Sequence, residues 1–210
     1  MKTPVSNLQE RVMNYIASQF GNPRGFIGHL VGLIMAYENR ARNQWALSLL
    51  DIQPTDNILE IGFGPGWAIQ HAGKLASHGL VAGIDRSMTM VKQATVRNRV
   101  HIQSGRVVLR HGTAAQIPFD SGMFNKVYAV NSFHEWDDLV GGLQEVRRVL
   151  VPGGLLVIVE HLHGVMREED IQVMQGDLTK LFGRLGLRDI QHMFNHLQGR
   201  PALAVKGVRS

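Results

Sequence analysis

Short β-branched runs alternate with stretches of helical periodicity through most of this chain. The alternation begins near residue 57 and continues to about residue 185. Strands separated by helices of about ten to fifteen residues form βαβ units, in which the strands are parallel. The run Leu155–Val159 (LLVIV) has no polar alternation, which is typical of a strand covered on both faces. The pattern therefore predicts an α/β fold built on an open, doubly wound sheet.

The predicted strands and helices can be placed from this alternation. The strands are predicted at Asn57–Ile61, Val81–Ile84, Arg106–Leu109, Lys126–Val130, Leu155–Val159, Arg188–Phe194 and Ala202–Val208. The helices are predicted at Trp67–Ser77, Met88–Asn98, Asp138–Leu150 and Glu168–Leu185. A turn at 199–201 is all that separates the last two strands, so we expect that pair to be antiparallel.

Length and composition limit the classes of protein that remain. A chain of 210 residues with 44% apolar and 19% charged residues can bury its own core and is not disordered. It has no cysteine, which excludes disulfides, thiolate metal sites and a cysteine nucleophile. We expect a single domain over residues 1–210, with a helical N-terminal segment at 1–50 and an α/β core at 51–210. No run reaches the roughly 18 apolar residues of a membrane span, and no signal peptide is evident, so we expect a cytoplasmic protein.

Three glycines at alternate positions follow the first predicted strand. Gly62, Gly64 and Gly66 lie directly before the helix that begins at Trp67. Glycine suits positions where φ is positive or where a ligand touches bare backbone. The dinucleotide fingerprint G-x-G-x-x-G requires its third glycine where Trp67 stands, and Pro65 removes an N–H that a pyrophosphate would use. The loop therefore favours a nucleotide cofactor without phosphates over a nicotinamide dinucleotide.

An acidic residue ends the second predicted strand. Asp85 lies about 20 residues after the glycine loop, where a carboxylate accepts hydrogen bonds from ribose hydroxyls. The alternative is that Asp85 caps the next helix.

Four segments in this order resemble the class I S-adenosylmethionine-dependent methyltransferases of the type-11, ubiquinone-biosynthesis-like group. They are QPTDNILEIGFGPGW, GIDRS, GTAAQIPFDSGMFNKVYAVNSFHEW and VRRVLVPGGLLVIVE, which together cover most of residues 50–160. The resemblance implies a Rossmann-like, mostly parallel sheet of seven strands with the last strand antiparallel, preceded by N-terminal helices. It also implies the cofactor S-adenosyl-L-methionine.

The resemblance also implies which residues bind that cofactor. The glycines would hold the methionine part, Asp85 the ribose, and Arg86 and Met90 would lie near the adenine. The full implied set is Glu60, Gly62, Gly64, Pro65, Gly66, Asp85, Arg86, Met90, Thr113, Ala114 and Asn131. Two positions depart from the group's pattern, because Thr113 stands where an acid often contacts the adenine amino group and Asn125 replaces an Asp before the fourth strand.

Methyl transfer from a sulfonium is an in-line displacement at carbon. Alignment of the nucleophile, methyl group and sulfur can contribute up to about 7–11 kcal/mol, and a base is needed only if the attacking group must lose a proton. His134 follows the fourth strand and titrates near neutral pH, so it is the candidate base. The alternative is a His that packs or caps a helix.

The acceptor pocket is expected after the fourth and fifth strands and beneath the N-terminal segment, which the resemblance makes a lid. The candidate pocket residues are Phe26, Tyr37, Phe133, Trp136, His161 and His163. For Phe133 and Trp136 the alternative is a place in the hydrophobic core. The nearly apolar run Gly25–Tyr37 predicts a hydrophobic acceptor, or contact with a membrane surface or a second copy of the chain. His161 and His163 have no obvious third ligand, so we expect no metal.

The stretch 86–119 contains six Lys or Arg residues and no acid, in a chain of net charge +5. This favours a solvated face, with an anionic acceptor, RNA or an acidic membrane as the alternative. No aromatic residue interleaves the charges before Phe119, so we do not expect a nucleic-acid partner. The leading hypothesis is methyl transfer to a small, hydrophobic or aromatic molecule. The alternatives are an RNA or lipid methyltransferase and a cofactor-binding regulatory module without turnover.

Overall fold

The computed structural model describes residues 39–162 and 168–210. The predicted pocket residues Phe26, Tyr37 and His163, and the apolar run Gly25–Tyr37, lie outside the described residues.

Helices and strands alternate through the described part of the chain. The helices are α1 (Arg40–Leu50), α2 (Trp67–Leu75), α3 (Met88–Arg97), α4 (Arg99–Gln103), α5 (Leu139–Val149) and α6 (Glu168–Arg184), with a 3₁₀ turn at Phe133–Glu135. The strands are β1 (Ile58–Ile61), β2 (Val81–Asp85), β3 (Val107–His111), β4 (Phe124–Val130), β5 (Leu150–His161), β6 (Leu187–Leu197) and β7 (Arg200–Arg209). Within these ranges no helix has both the length and the apolar content that crossing a bilayer requires.

The seven strands form one sheet in the order β3-β2-β1-β4-β5-β7-β6. The first five strands are parallel, whereas β7 runs antiparallel to both β5 and β6. The predicted doubly wound, mostly parallel sheet with an antiparallel last strand is confirmed. The strand order reverses between β1 and β4, and in open α/β sheets ligands bind outside the carboxyl ends of strands at such a point.

The sheet is covered on both faces, because consecutive strand residues enter different hydrophobic clusters. Ile58 and Tyr128 belong to a cluster that includes Ala46 of α1 and Ile69 of α2. The neighbouring residues Leu59 and Val127 belong to the cluster that contains buried side chains of α5 and α6. This arrangement explains why the central strands lack polar alternation.

The boundaries of several elements differ from the predicted ones. β5 spans twelve residues, and its first part escapes prediction because Pro152, Gly153 and Gly154 are typical of a turn. A register shift between Phe124 and Lys126 accompanies this irregular start. The predicted helix Met88–Asn98 ends at Arg97, and the short helix α4 that follows is not predicted.

Candidate active site

The glycine loop connects β1 to α2 with all three glycines at positive φ. The φ angles are 77° at Gly62, 53° at Gly64 and 75° at Gly66. A Cβ on Gly62 would lie 2.4 Å from Cβ of Ser132, and one on Gly66 would lie 2.6 Å from Cβ of Ala94. A Cβ on Gly64 would meet nothing within 4 Å. Gly62 and Gly66 are therefore required by packing, whereas Gly64 borders open space.

Asp85 joins the glycine loop to the start of α3. Its Oδ2 accepts a hydrogen bond from the N–H of Gly64 at 2.8 Å, and its Oδ1 accepts one from the N–H of Ser87 at 2.8 Å. Burial raises the pKa of this carboxyl, although the same two hydrogen bonds favour its ionised form. The helix-cap alternative for Asp85 is wrong, because the N-cap of α3 is Ser87, whose hydroxyl accepts from the N–H of Met90.

Two polar residues at the end of α3 hold the loop from the opposite side. Nε of Arg97 donates to the carbonyl of Pro65 at 2.9 Å, and Nδ2 of Asn98 donates to the carbonyl of Gly66 at 3.0 Å. Sequence reasoning missed both residues. The only signal is the run of basic residues that includes Arg97, and such a run favours a solvated face.

Two cavities border the glycine loop. The first contains about 740 Å³ of empty space, part of it open to solvent, and the second about 400 Å³. The predicted cofactor residues that line the first are Gly62, Gly64, Asp85, Arg86, Met90, Thr113, Ala114 and Asn131. Those that line the second are Glu60, Gly62, Gly64, Pro65 and Asn131. Gly62, Gly64 and Asn131 border both cavities, so the two spaces adjoin at this point.

Asn131 ties together the ends of three elements just after β4. Its φ is 49°, a left-handed conformation that is uncommon for a non-glycine residue and concentrates at functional sites. Its Oδ1 accepts from the N–H of His161 at 2.8 Å, and its Nδ2 donates to Oδ1 of Asn39 at 2.6 Å. The start of α1 and the end of β5 are thereby fixed beside both cavities. Asn39 and Asn43, which line the second cavity, are not among the predicted residues.

The candidate base His134 lies in the 3₁₀ turn after β4. Its Nδ1 is 2.6 Å from Oε2 of Glu160, and its side chain is half-exposed. The hydrogen bond to Glu160 raises the pKa of this imidazole, and the negative charges of Glu160 and Glu135 act in the same direction. His134 is in the lining of neither cavity.

Comparisons with known proteins identify the family of this chain. A family model described as a methyltransferase domain matches residues 59–158. The uncharacterized methyltransferase YdaC of Bacillus subtilis is 34% identical over 184 residues, which cover 84% of this chain and 94% of YdaC. The chain belongs to the class I S-adenosylmethionine-dependent methyltransferases of the type-11 family. The predicted resemblance is confirmed, and with it the cofactor of the family.

Two further similarities are to a named enzyme and to a solved structure. The demethylmenaquinone methyltransferase of Bacillus cereus (strain B4264) is 28% identical over 129 residues, or 61% of this chain and 54% of that enzyme. The crystal structure of a methyltransferase from Aquifex aeolicus superposes with a TM-score of 0.67 at 17% identity, covering 83% of this chain and 93% of that one. This second likeness shows the fold.

The predicted pocket residues of this methyltransferase take different positions. Trp136 lines the first cavity, whereas Phe133 is buried in the core, with its ring centroid 5.0 Å from that of Trp136. His161 lies at the end of β5. Within residues 39–162 and 168–210, no group of three His, Asp or Glu side chains is placed to hold a metal ion.

Part of the basic stretch of the methyltransferase has partners within the chain. Arg86 donates to the carbonyl of Glu135 at 3.0 Å, and the guanidinium of Arg110 lies 4.5 Å from the ring centroid of Phe119. Arg106 contacts His101 at 3.1 Å. Arg106 and Arg110 therefore pair with neighbouring groups of the chain, whereas Arg86 lines the first cavity and Arg97 holds the glycine loop.

Glu60 of the methyltransferase is a buried carboxyl that borders the second cavity. Its Oε2 accepts a hydrogen bond from the hydroxyl of Tyr128 at 2.8 Å. Burial raises the pKa of Glu60 from about 4.5 to about 8. Between these two pH values the carboxyl is protonated in the native protein and ionised in the unfolded chain.

We expect this retained proton to make the free energy of unfolding fall with rising pH. The contribution of Glu60 is fully present below about pH 4.5 and is lost as pH rises to about 8, because the native state binds more protons than the unfolded state in this window. Urea unfolding between pH 5 and pH 8 measures this change. The free energy of unfolding of the unsubstituted protein should fall with pH relative to that of Glu60→Gln. Glu145→Gln is the matched control, because Arg148 lowers the pKa of Glu145 and its effect should be constant over this range. A constant difference between the native protein and Glu60→Gln would contradict the prediction.

Proposed function

We propose that this methyltransferase transfers the methyl group of S-adenosylmethionine to a small, hydrophobic or aromatic molecule by in-line displacement. The observation that carries the proposal is the meeting of the two cavities at Gly62, Gly64 and Asn131. The buried carboxylate of Asp85 lines the first cavity, and Glu60, Asn39 and Asn43 line the second. A nucleoside joined to an amino acid through a central sulfonium has the matching shape and polarity.

The residues around the first cavity fit an adenosine. A carboxylate has about four lone-pair sites, and the N–H groups of Gly64 and Ser87 occupy two of those on Asp85. The remaining sites are available to ribose hydroxyls. We propose that Arg86, Met90, Thr113 and Ala114 surround the adenine, with the hydroxyl of Thr113 in place of the acid that the family often has there.

The second cavity fits the methionine part of the cofactor. Glu60, Pro65 and Asn131 line it together with two amides, Asn39 and Asn43. We propose that Glu60 loses its proton and orients the cofactor's ammonium group. Gly66 borders neither cavity, so its contribution is to allow the packing of the loop on α3.

The acceptor is proposed to approach from the ends of β4 and β5. We propose that the part of the N-terminal segment before α1 covers the acceptor, because α1 itself packs against the sheet and its N-cap residue Asn39 contacts Asn131 beside this site. The apolar run Gly25–Tyr37 favours a hydrophobic molecule, and the related demethylmenaquinone methyltransferase is named for a quinone acceptor. We propose that Phe26, Tyr37, Trp136, His161 and His163 contribute to this pocket.

The chain's own residues would align the acceptor and receive its proton. When bound, the cofactor supplies an already activated methyl group. Alignment at the junction of the cavities can then provide most of the acceleration. For a hydroxyl acceptor we propose His134 as the base, since its raised pKa makes the imidazole a better proton acceptor.

Transfer of an isotopic label tests the proposed function. The protein is incubated with trideuteromethyl S-adenosylmethionine and separate organic, aqueous and RNA fractions of a cell extract, and the products are identified by mass spectrometry. We expect label in a compound of the organic fraction. Label confined to RNA would overturn the proposal in favour of an RNA methyltransferase. Cofactor binding by calorimetry without transfer to any fraction would favour a binding module.

We expect Asp85→Ala to weaken binding of S-adenosylhomocysteine by about 1.5–3 kcal/mol, or roughly ten- to a hundredfold, because hydrogen bonds to a charged group are lost. Isothermal titration calorimetry measures this change. Ser87→Ala is the matched control, since it removes the N-cap of the same helix and should cost about 0.5–2 kcal/mol of stability with little change in affinity. A loss below threefold in Asp85→Ala would remove Asp85 from the ribose site.

A further inference from the structure

One carboxylate at the end of β5 organises the segment that follows β4. Oε1 of Glu160 accepts from the N–H of Ser132 at 3.1 Å and from that of Phe133 at 2.8 Å. Oε2 of the same side chain lies 2.6 Å from Nδ1 of His134. The side chain is only 18% exposed, and contacts at both of its oxygens hold it in place.

This geometry determines which nitrogen of His134 carries the proton in the neutral ring. A carboxylate oxygen accepts, so Nδ1 donates and the lone pair of the neutral imidazole is on Nε2. We propose that Glu160 is a positioning residue that fixes the ring and the tautomer of His134, so that Nε2 receives the proton of the methyl acceptor. The inference rests on the proposed function, because it assigns the atom that acts as base.

The proposed step moves one methyl group from sulfur to the acceptor and one proton from the acceptor to His134. The bond from the acceptor heteroatom to the methyl carbon forms as the bond from that carbon to sulfur breaks, and sulfur keeps the electron pair as a neutral thioether. The acceptor's proton passes to Nε2, which makes His134 a cation beside the Glu160 carboxylate. His134 is half-exposed, so it can return the proton to solvent.

A second carboxylate approaches the opposite nitrogen. Oε1 of Glu135 lies 3.5 Å from Nε2 of His134, and the guanidinium of Arg86 lies 3.8 Å from the other oxygen of Glu135. The side chain of Glu135 is 38% exposed, against 18% for Glu160. The shorter and more buried contact with Glu160 therefore sets the tautomer.

Glu160→Gln is the sharpest test because it keeps the shape of the side chain. The amide oxygen can still accept from the N–H groups of Ser132 and Phe133, which turns the amide NH₂ toward Nδ1 of His134. Nδ1 must then accept, and the proton moves to Nε2, the atom that needs a lone pair. Long-range ¹H–¹⁵N NMR on histidine-labelled protein reads the tautomer directly, with His134 assigned from the spectrum of His134→Gln.

We expect the native protein above its His134 titration to carry the proton on Nδ1, and Glu160→Gln to carry it on Nε2 with a titration midpoint at lower pH. Glu135→Gln is the comparison variant, which should lower the midpoint and leave the proton on Nδ1. A proton on Nε2 in the native protein would overturn the inference without any variant. So would an unchanged tautomer in folded Glu160→Gln.

The NMR measurement needs no methyl acceptor. It can therefore refute the assigned tautomer without refuting the proposed methyl transfer. With the acceptor from the label-transfer experiment, Glu160→Gln should lower kcat by at least about tenfold and by no more than His134→Ala, about 10²–10⁴-fold. Its affinity for S-adenosylhomocysteine should stay within threefold of the native value. A native kcat in a variant with the altered tautomer would show that His134 is not the base, which refutes that part of the proposal and leaves methyl transfer intact.

Discussion

Gly64→Val should abolish detectable binding of S-adenosylmethionine while the protein still folds. Gly64 borders both cavities, and a Cβ built there meets nothing within 4 Å. The valine side chain would therefore enter the space proposed for the cofactor rather than clash with protein. The φ of 53° at this position adds a conformational cost of about 1–2 kcal/mol for a residue with a Cβ. Calorimetry with the cofactor should give no binding heat, and circular dichroism should show a native spectrum with a lower Tm.

Gly105→Val separates the loss of binding from the conformational cost. Gly105 has a φ of 73°, its Cβ would also meet nothing within 4 Å, and it lies in the turn between α4 and β3. The two variants should lose similar stability, and only Gly64→Val should lose the cofactor. A folded Gly64→Val protein with native affinity would show that the cofactor does not lie against this part of the loop.

The sheet could be predicted because the signals for it are local. Each central strand is a short apolar run, and each is followed by a segment in which apolar residues recur at helical spacing. The glycine loop was also visible, since three alternate glycines directly after a strand are typical of a cofactor-binding loop. The start of β5 was not, because Pro152, Gly153 and Gly154 are residues typical of turns, yet β5 begins at Leu150.

The contacts that organise the site depend on register, which the sequence does not state. β4 and β5 pair with Val130 opposite Val159. The residues that follow each strand are therefore neighbours, and Glu160 reaches His134 although 26 positions separate them. The same applies to the side chain of Asn131 and the N–H of His161. A sequence could suggest that strand ends meet, but it could not assign these partners.

The glycine loop shows a different limit of sequence reasoning. Gly62, Gly64 and Gly66 look equivalent as letters, and all three are predicted to hold the cofactor. Their surroundings differ, since Gly62 packs on Ser132 and Gly66 packs on Ala94. The distinction required the positions of β4 and α3 relative to the loop. Variants of Gly62 and Gly66 would therefore report on folding, and only Gly64 isolates the ligand.

His134→Ala should lower kcat by about 10²–10⁴-fold with almost no change in affinity for S-adenosylhomocysteine, if His134 removes the acceptor's proton. The reason is that a base acts in the transition state and contributes little to ground-state binding. His196→Ala is the matched control, because His196 is exposed on β6 at the edge of the sheet. That variant should keep the native kcat. The rates are measured with the acceptor found by label transfer.

The pH dependence of kcat distinguishes a catalytic base at position 134 from a side chain that only lines the acceptor pocket. Glu160 and Glu135 raise the pKa of His134 above its ordinary value of 6.5, and only the neutral imidazole can accept a proton. The native kcat should therefore rise with pH through a midpoint above that value, and His134→Ala should lose the rise. An amine or thiolate that is already deprotonated in solution needs only alignment, and the variant would then lose less than about tenfold. In that case His134→Ala would have the same pH profile of kcat as the unsubstituted protein. Glu160 would then hold His134 as part of the acceptor pocket.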